Sequence, residues 1–161
     1  MDSIEITILK NLIHNDEYSR KVIPFINKEY FEEFHQKIIF EEVCTFIVKY
    51  NSLPTKETLI IESEKRTDIT DDVFGKIQDC VGLLDDTPND LQWLLDTTEK
   101  WCKDRAIYLA LVESIAIADG NNDKKNQDAI PSILSDALAV SFDNQVGHCL
   151  LYTSDAADEE L

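Results

Sequence analysis

The sequence is short of the residues that punctuate chains. It holds four glycines and four prolines among 161 residues. A β-sandwich, with a turn roughly every ten residues, needs more of both. Basic residues are scarce too: 15 Lys and Arg stand against 32 Asp and Glu, a formal charge of −17. Affinity for nucleic acid rests on Lys and Arg neutralising phosphates, so a surface this acidic repels DNA unless its few bases cluster. Lys65-Arg66 and Lys124-Lys125 are the only adjacent basic pairs near polar turns. Both read as solvated helix ends rather than phosphate sites. Protein partners are the expectation. The longest near-apolar run, Ala106–Ala118, is interrupted by Glu113 and Ser114 and is too short to span a bilayer. The start, MDSIEITILK, has no basic n-region and no small-residue cleavage site, so it is not a signal peptide. A cytosolic-type acidic domain without a membrane segment is expected. Cysteines stand at 44, 80, 102 and 149 with no C-x-x-C pair. Without a secretion signal they read as reduced core thiols.

What is present is helical periodicity. Ile4, Ile8 and Leu12 predict a helix over 2–14, capped by Asp2 or Ser3. A short helix is expected over Glu17–Ile23, stopped by Pro24. Ile39, Val43, Phe46, Ile47 and Tyr50 form one stripe of a helix over 32–50, broken by Asn51–Pro54. Thr55 opens another helix to about Arg66. Thr70 caps a further one, with acidic Asp71 and Asp72 at its positive end. Val73, Ile77, Cys80, Val81 and Leu84 repeat the stripe there, which makes Cys80 a core thiol. After the turn Asp85–Asn89, a pattern over 90–118 carries Leu91, Leu94, Leu95, Thr98, Trp101, Cys102 and Arg105 along one seam.

From Ala106 onward this long helix is apolar on nearly every side. Such a helix must be covered on more than one face, which suggests a second subunit. At roughly 40 Å it exceeds what a compact domain of this size needs, so a projecting hairpin is expected. Asp119–Gln127 is a polar connection with Gly120 at a C′ position. Asp128 then caps a last helix over 129–142, with Pro131 in its first turn and Ile130, Ile133, Leu134, Ala137 and Leu138 as its stripe. The fold class is all-α: a small helical bundle, a projecting long helical hairpin and a linker helix.

Catalytic constellations are sparse. No G-x-x-x-x-G-K-[ST] phosphate cradle and no H-E-x-x-H occurs. Glu32–His35 is a single Glu-x-x-His, whereas a di-iron bundle needs two such motifs plus two further glutamates. His35 therefore reads as packed at a helix start. Trp93 and Trp101, eight apart, read as one face of the long helix, either core or a protein-interface anchor. Arg105 would pair across an interface or snorkel to solvent.

The last stretch is of a different kind. Cys149–Glu159 has neither helical periodicity nor strand alternation, and all eleven residues match the frame translation of a transposon-type sequencing adapter. The natural segment is expected to end near His148, cut there rather than terminated; a short acidic tail is the alternative. Removing Cys149–Leu161 takes out four acids, leaving 28 against 15 bases, or −13.

Several segments together carry a resemblance. Glu29-Tyr30-Phe31, His35, Ile38-Ile39-Phe40 and Tyr50–Pro54 come first. Trp93–Ala106 (WLLDTTEKWCKDRA) and Ala129–His148 (AIPSILSDALAVSFDNQVGH) follow, in order and at plausible spacing. Over 2–148 the chain resembles the N-terminal region of a DnaB-type hexameric replicative helicase of the T-even bacteriophage kind. The resemblance implies a collar, in which such domains pair through helical hairpins into a ring of dimers above RecA-like motors. It implies self-association as partner, with primase and helicase loader as further partners. Single-stranded DNA, ATP and Mg would belong to a missing motor domain that acts as a 5′–3′ DNA helicase in an infected bacterial cell. The expected division is 1–88 as collar bundle, 89–127 as hairpin, 128–148 as linker helix and 149–161 as non-native tail. Trp101, Ile107, Leu111 and Ile115 are the expected oligomer interface; Ile130, Ile133, Leu134 and Leu138 are the expected docking side chains of the linker. No catalytic, cofactor or metal residue is expected in this chain. Two rivals remain: a stand-alone helical interaction adaptor, and a metal or hydrolytic enzyme on a helical bundle.

Overall fold

A computed structural model describes residues 3–121 and 125–142. Among them are seven α-helices and no strand, so the all-α class is borne out. The helices are α1 Ile4–His14, α2 Asp16–Val22, α3 Phe34–Tyr50, α4 Lys56–Glu64, α5 Asp71–Gly82, α6 Leu91–Ala118 and α7 Ile130–Leu138. Short 3₁₀ turns cover Ile23–Phe25, Lys28–Tyr30 and Gln127–Ala129. Among the described residues no helix is long and apolar enough to cross a membrane.

The helix starts follow from side-chain caps. Ser3 accepts from the Ile6 N–H at 3.3 Å, Thr55 from Thr58 at 3.1 Å, Thr70 from Val73 at 3.2 Å and Asp90 from Trp93 at 2.9 Å. Each satisfies a backbone donor that the helix itself cannot, worth about 1 kcal/mol. Several boundaries differ from expectation. α2 starts earlier because Asn15, rather than an acid, caps it through the Tyr18 N–H at 3.0 Å. Pro24 does not simply stop the chain; it sits in the 3₁₀ turn, where its missing N–H costs nothing. α3 begins at Phe34, two residues later than expected, which leaves Glu32 outside the helix. α4 ends before Arg66, whose guanidinium is drawn to Asp68, Glu42 and Glu41. α7 is shorter than 129–142 and begins at Ile130 without a side-chain cap; Asn126 instead caps the 3₁₀ turn before it, its side chain accepting from the Asp128 N–H at 2.9 Å.

The chain divides into two compact units, Met1–Thr98 and Glu99–Leu161. In the first, α3, α4 and α5 pack on one another and α1 packs on α2 and α3. Ile8, Leu9, Leu12, Tyr18, Val22, Phe31, Ile39, Val43, Leu59, Ile77, Leu84 and Leu94 are fully buried. The connection before α6 is stitched to α1. Asn11 Nδ2 donates to Asn89 Oδ1 at 3.1 Å, His14 Nε2 donates to the Leu84 carbonyl at 3.0 Å, and Lys10 reaches Asp85 at 3.4 Å. One buried polar contact ties α2 to the start of α6: the Tyr18 hydroxyl and Thr98 Oγ1 lie 2.5 Å apart, both side chains at zero exposure.

In the second unit, α6 ends in a tight cap. Gly120 has φ +76°, its N–H bonds to the Ile117 carbonyl at 3.0 Å, and the Asn121 N–H reaches the Ala116 carbonyl at 2.8 Å. This is the Schellman pattern expected of a C′ glycine. α7 returns along α6 in the opposite direction, held near both ends. Lys125 pairs with Glu113 at 2.8 Å, and Glu99 Oε2 accepts from the Phe142 N–H at 2.8 Å and the Ser141 hydroxyl at 3.2 Å.

Removing the Tyr18 hydroxyl takes from the buried Thr98 hydroxyl the partner it has there. Tyr18→Phe is therefore expected to cost about 1–3 kcal/mol in chemical denaturation. Tyr18→Phe/Thr98→Val should cost less than the two single changes summed, because it removes both polar groups.

Candidate subunit-pairing surface

An α-helix advances about 100° per residue, so azimuth around α6 can be read from spacing. From Thr98 onward two faces stand out. Thr98, Cys102, Ala106, Ala110, Ser114 and Ile117 are buried. Glu99 and Glu113, the residues that hold the returning chain, lie within the arc these side chains span. The opposite side carries Tyr108, Leu111, Val112 and Ile115, which are 55%, 48%, 48% and 61% exposed. Their spacing, i, i+3, i+4, i+7, is that of a helix-packing seam. Arg105 borders it, its guanidinium 4.9 Å from the Tyr108 ring centroid, a cation–π distance. α6 thus has a covered face of small residues and an open face of large apolar ones.

The expected interface residues divide across this surface. Leu111 and Ile115 lie on the open face and Ile107 is half-buried at its margin. Trp101, seven residues before Tyr108 and on nearly the same azimuth, is buried within the chain at 6% exposure. Tyr108 and Val112 were not singled out. Their spacing was legible, but a run apolar on every side does not say which side stays open. The two tryptophans do not share a face: eight residues amount to about 80° of rotation, and Trp93 is exposed while Trp101 is buried. On α7, Ile130, Ile133 and Leu134 are half-buried and Ala137 is buried, while Leu138 is 69% exposed and falls off that face.

The remaining candidates for chemistry are accounted for locally. Glu32 precedes α3, so Glu32 and His35 do not share a helical turn. Burial holds the His35 imidazole below its ordinary range. Among the described residues no three His, Cys, Asp or Glu side chains are grouped to hold a metal ion. Lys65 pairs with Glu62 at 2.8 Å, and Arg66 bonds to Glu42, Glu41 and Asp68 at 2.5, 3.0 and 2.7 Å. Lys28 joins this network through Glu41 at 2.6 Å. Arg66 is therefore bound to carboxylates rather than offered to phosphates. Burial pushes the Cys44 and Cys80 thiols up to about 11 and Cys102 to about 12, with Glu41 adding at Cys44 and Glu99 at Cys102. Lys124, His148 and Cys149 lie outside the described residues.

No protein-family model matches the chain. A curated protein of Enterobacteria phage T4, a "DnaB-like replicative helicase", is 33% identical over 149 residues, 88% of this chain. The chain is similar to a DnaB-like replicative helicase. The resemblance carried by the sequence segments is borne out. The chain spans 31% of the length of that helicase.

With a thiol near 11, the reactive thiolate at pH 8 is roughly one part in a thousand. In a Cys149→Ser background, Cys80 and Cys102 are expected to resist maleimide at pH 8 until the protein is unfolded, and reactivity should climb with pH. Prompt labelling of Cys102 in the native protein would contradict the buried face of α6.

Proposed function

We propose that this chain is the subunit-pairing and partner-docking part of a phage replicative helicase, a collar that joins copies and holds no catalytic site. The similarity to the phage T4 helicase supports the replicative role. The observation that carries the pairing role is the open stripe of Tyr108, Leu111, Val112 and Ile115 on a helix whose other face is already covered. Four large apolar side chains in one row are costly to leave in water, and each gains about 1–2 kcal/mol on being covered.

In this reading the bundle of 1–88 forms the collar body and 89–127 brings the pairing helix. The segment 128–148 leads toward a motor domain, and Ile130, Ile133, Leu134 and Leu138 dock there. ATP, Mg and single-stranded DNA are handled by that motor domain. This agrees with a sequence that has no phosphate-binding loop and whose charge of −17 opposes nucleic acid. Primase and helicase loader meet the collar surface, and the assembly, a hexamer of paired subunits, works in the infected bacterial cell.

Sedimentation of the chain is expected to show self-association that Leu111→Asp weakens at least about tenfold, with helicity unchanged because the side chain is already half in water. An unaltered oligomeric state would remove the pairing assignment. Reading the contiguous genome tests the rest: an in-frame phosphate-binding loop beyond His148 is expected, and a native stop codon instead would favour a stand-alone adaptor.

A further inference from the structure

The segment that returns along α6 is fastened at few points. α7 is nine residues long. An isolated helix needs roughly 12–15 residues to persist in water, so α7 depends on what it is laid against. It starts without a side-chain cap, and among its residues Ala137 alone is buried. Ile130, Ile133 and Leu134 are half-buried and Leu138 is exposed. Polar contacts fasten the two ends. Near the start, Lys125 and Glu113 form an exposed ion pair at 2.8 Å, a kind of contact that contributes little. Beyond the end of α7 one carboxylate oxygen, Glu99 Oε2, accepts from both the Phe142 N–H at 2.8 Å and the Ser141 hydroxyl at 3.2 Å. Bonds to a charged acceptor are the stronger kind. Ser114, on the covered side of α6, is buried, and its Oγ finds no hydrogen-bond partner among the described residues. A buried hydroxyl left unpaired costs free energy, so the covered state carries a penalty that a finished core avoids.

We propose that α7 and residues 139–142 form a releasable strap with Glu99 as its catch. Parked on its own chain, the strap half withdraws Ile130, Ile133 and Leu134 from any other body. Released, it offers all three. Its destination, the motor domain, rests on the docking role proposed above; the strap and its catch rest on the contacts of Glu99 alone. Parking and docking then compete for the same side chains. The apparent affinity of the docked state falls by the fraction of chains that are parked, so the strength of the Glu99 catch sets how readily the segment engages elsewhere. Glu99 is a positioning residue in this device: it fixes the exit of α7, and the apolar side chains make the contact.

Amide hydrogen exchange of the full chain, read residue by residue, tests this. In the unaltered protein the amides of Leu134–Ala139 are expected to exchange at least about tenfold faster than those of Ile39–Val43 in α3, because the strap opens without the fold. Glu99→Ala, which keeps a good helix former in α6, is expected to speed the α7 amides about tenfold further and to leave those of α3 unchanged. Glu99→Gln retains a carbonyl acceptor and should fall between the two. If α7 and α3 in the unaltered protein exchange at one common rate, α7 is an integral part of the fold and the strap is overturned. If Glu99→Ala leaves the α7 rates as they were, or speeds α3 equally, Glu99 is no catch. Neither result touches the docking reading, whereas a native stop codon just past His148 would remove the destination and leave the strap standing.

Discussion

The arrangement depends on one constraint: from Glu99 onward, α6 is apolar on two opposite sides, and among the described residues the chain that follows it covers one. Hydrophobic cost scales with the area left in water, which is why the pairing proposed above falls on the second side. The covered side is built for close approach. Ala106, Ala110 and Ser114 recur every four residues and bring no bulk. The polar contacts at Glu113 and Glu99 hold the returning chain on that side. Surface contacts of this kind are weak one by one, about 0–1 kcal/mol each, but they select which side is used.

The first unit has a different logic. Its core is closed by large apolar side chains from α1 to α5, and polar side chains appear inside it where they can be satisfied. Asn11 donates both to its own helix, at the Thr7 carbonyl, and to Asn89. Ser19 donates to the Leu12 carbonyl at 2.5 Å, and Tyr18 and Thr98 satisfy each other. These contacts fix where the chain enters α6. A buried hydroxyl that finds its partner only in one register favours that register over its neighbours.

Much of this was legible in the residues. Existence and type of the helices followed from stripes such as Val73, Ile77, Cys80 and Leu84, and from caps such as Thr55 and Thr70. Boundaries slipped at α2, where Asn15 caps through the Tyr18 N–H, and at α7, where a separate 3₁₀ turn capped by Asn126 comes first. Spacing cannot rank such caps. Arg66 reads locally as a solvated helix end, whereas the consecutive Glu41 and Glu42 of α3 hold it together with nearby Asp68. That clustering follows from packing α3 beside the segment after α4, which no local pattern encodes. The open stripe had the clearest spacing of all and still lacked an address. A helix apolar all round looks the same from every azimuth until the returning chain takes a side.

The unequal side chains on the two faces of α6 have a consequence for how such a protein can change over time. On the covered face an added methylene must displace neighbours, so drift there is paid in stability and is narrowly limited. On the open face a substitution alters only what the helix meets outside its own chain. Where that face is the pairing surface proposed above, a lineage can revise the strength with which copies hold one another while the fold is left alone. Opposite sides of one helix, a few ångströms apart, answer to separate selective pressures.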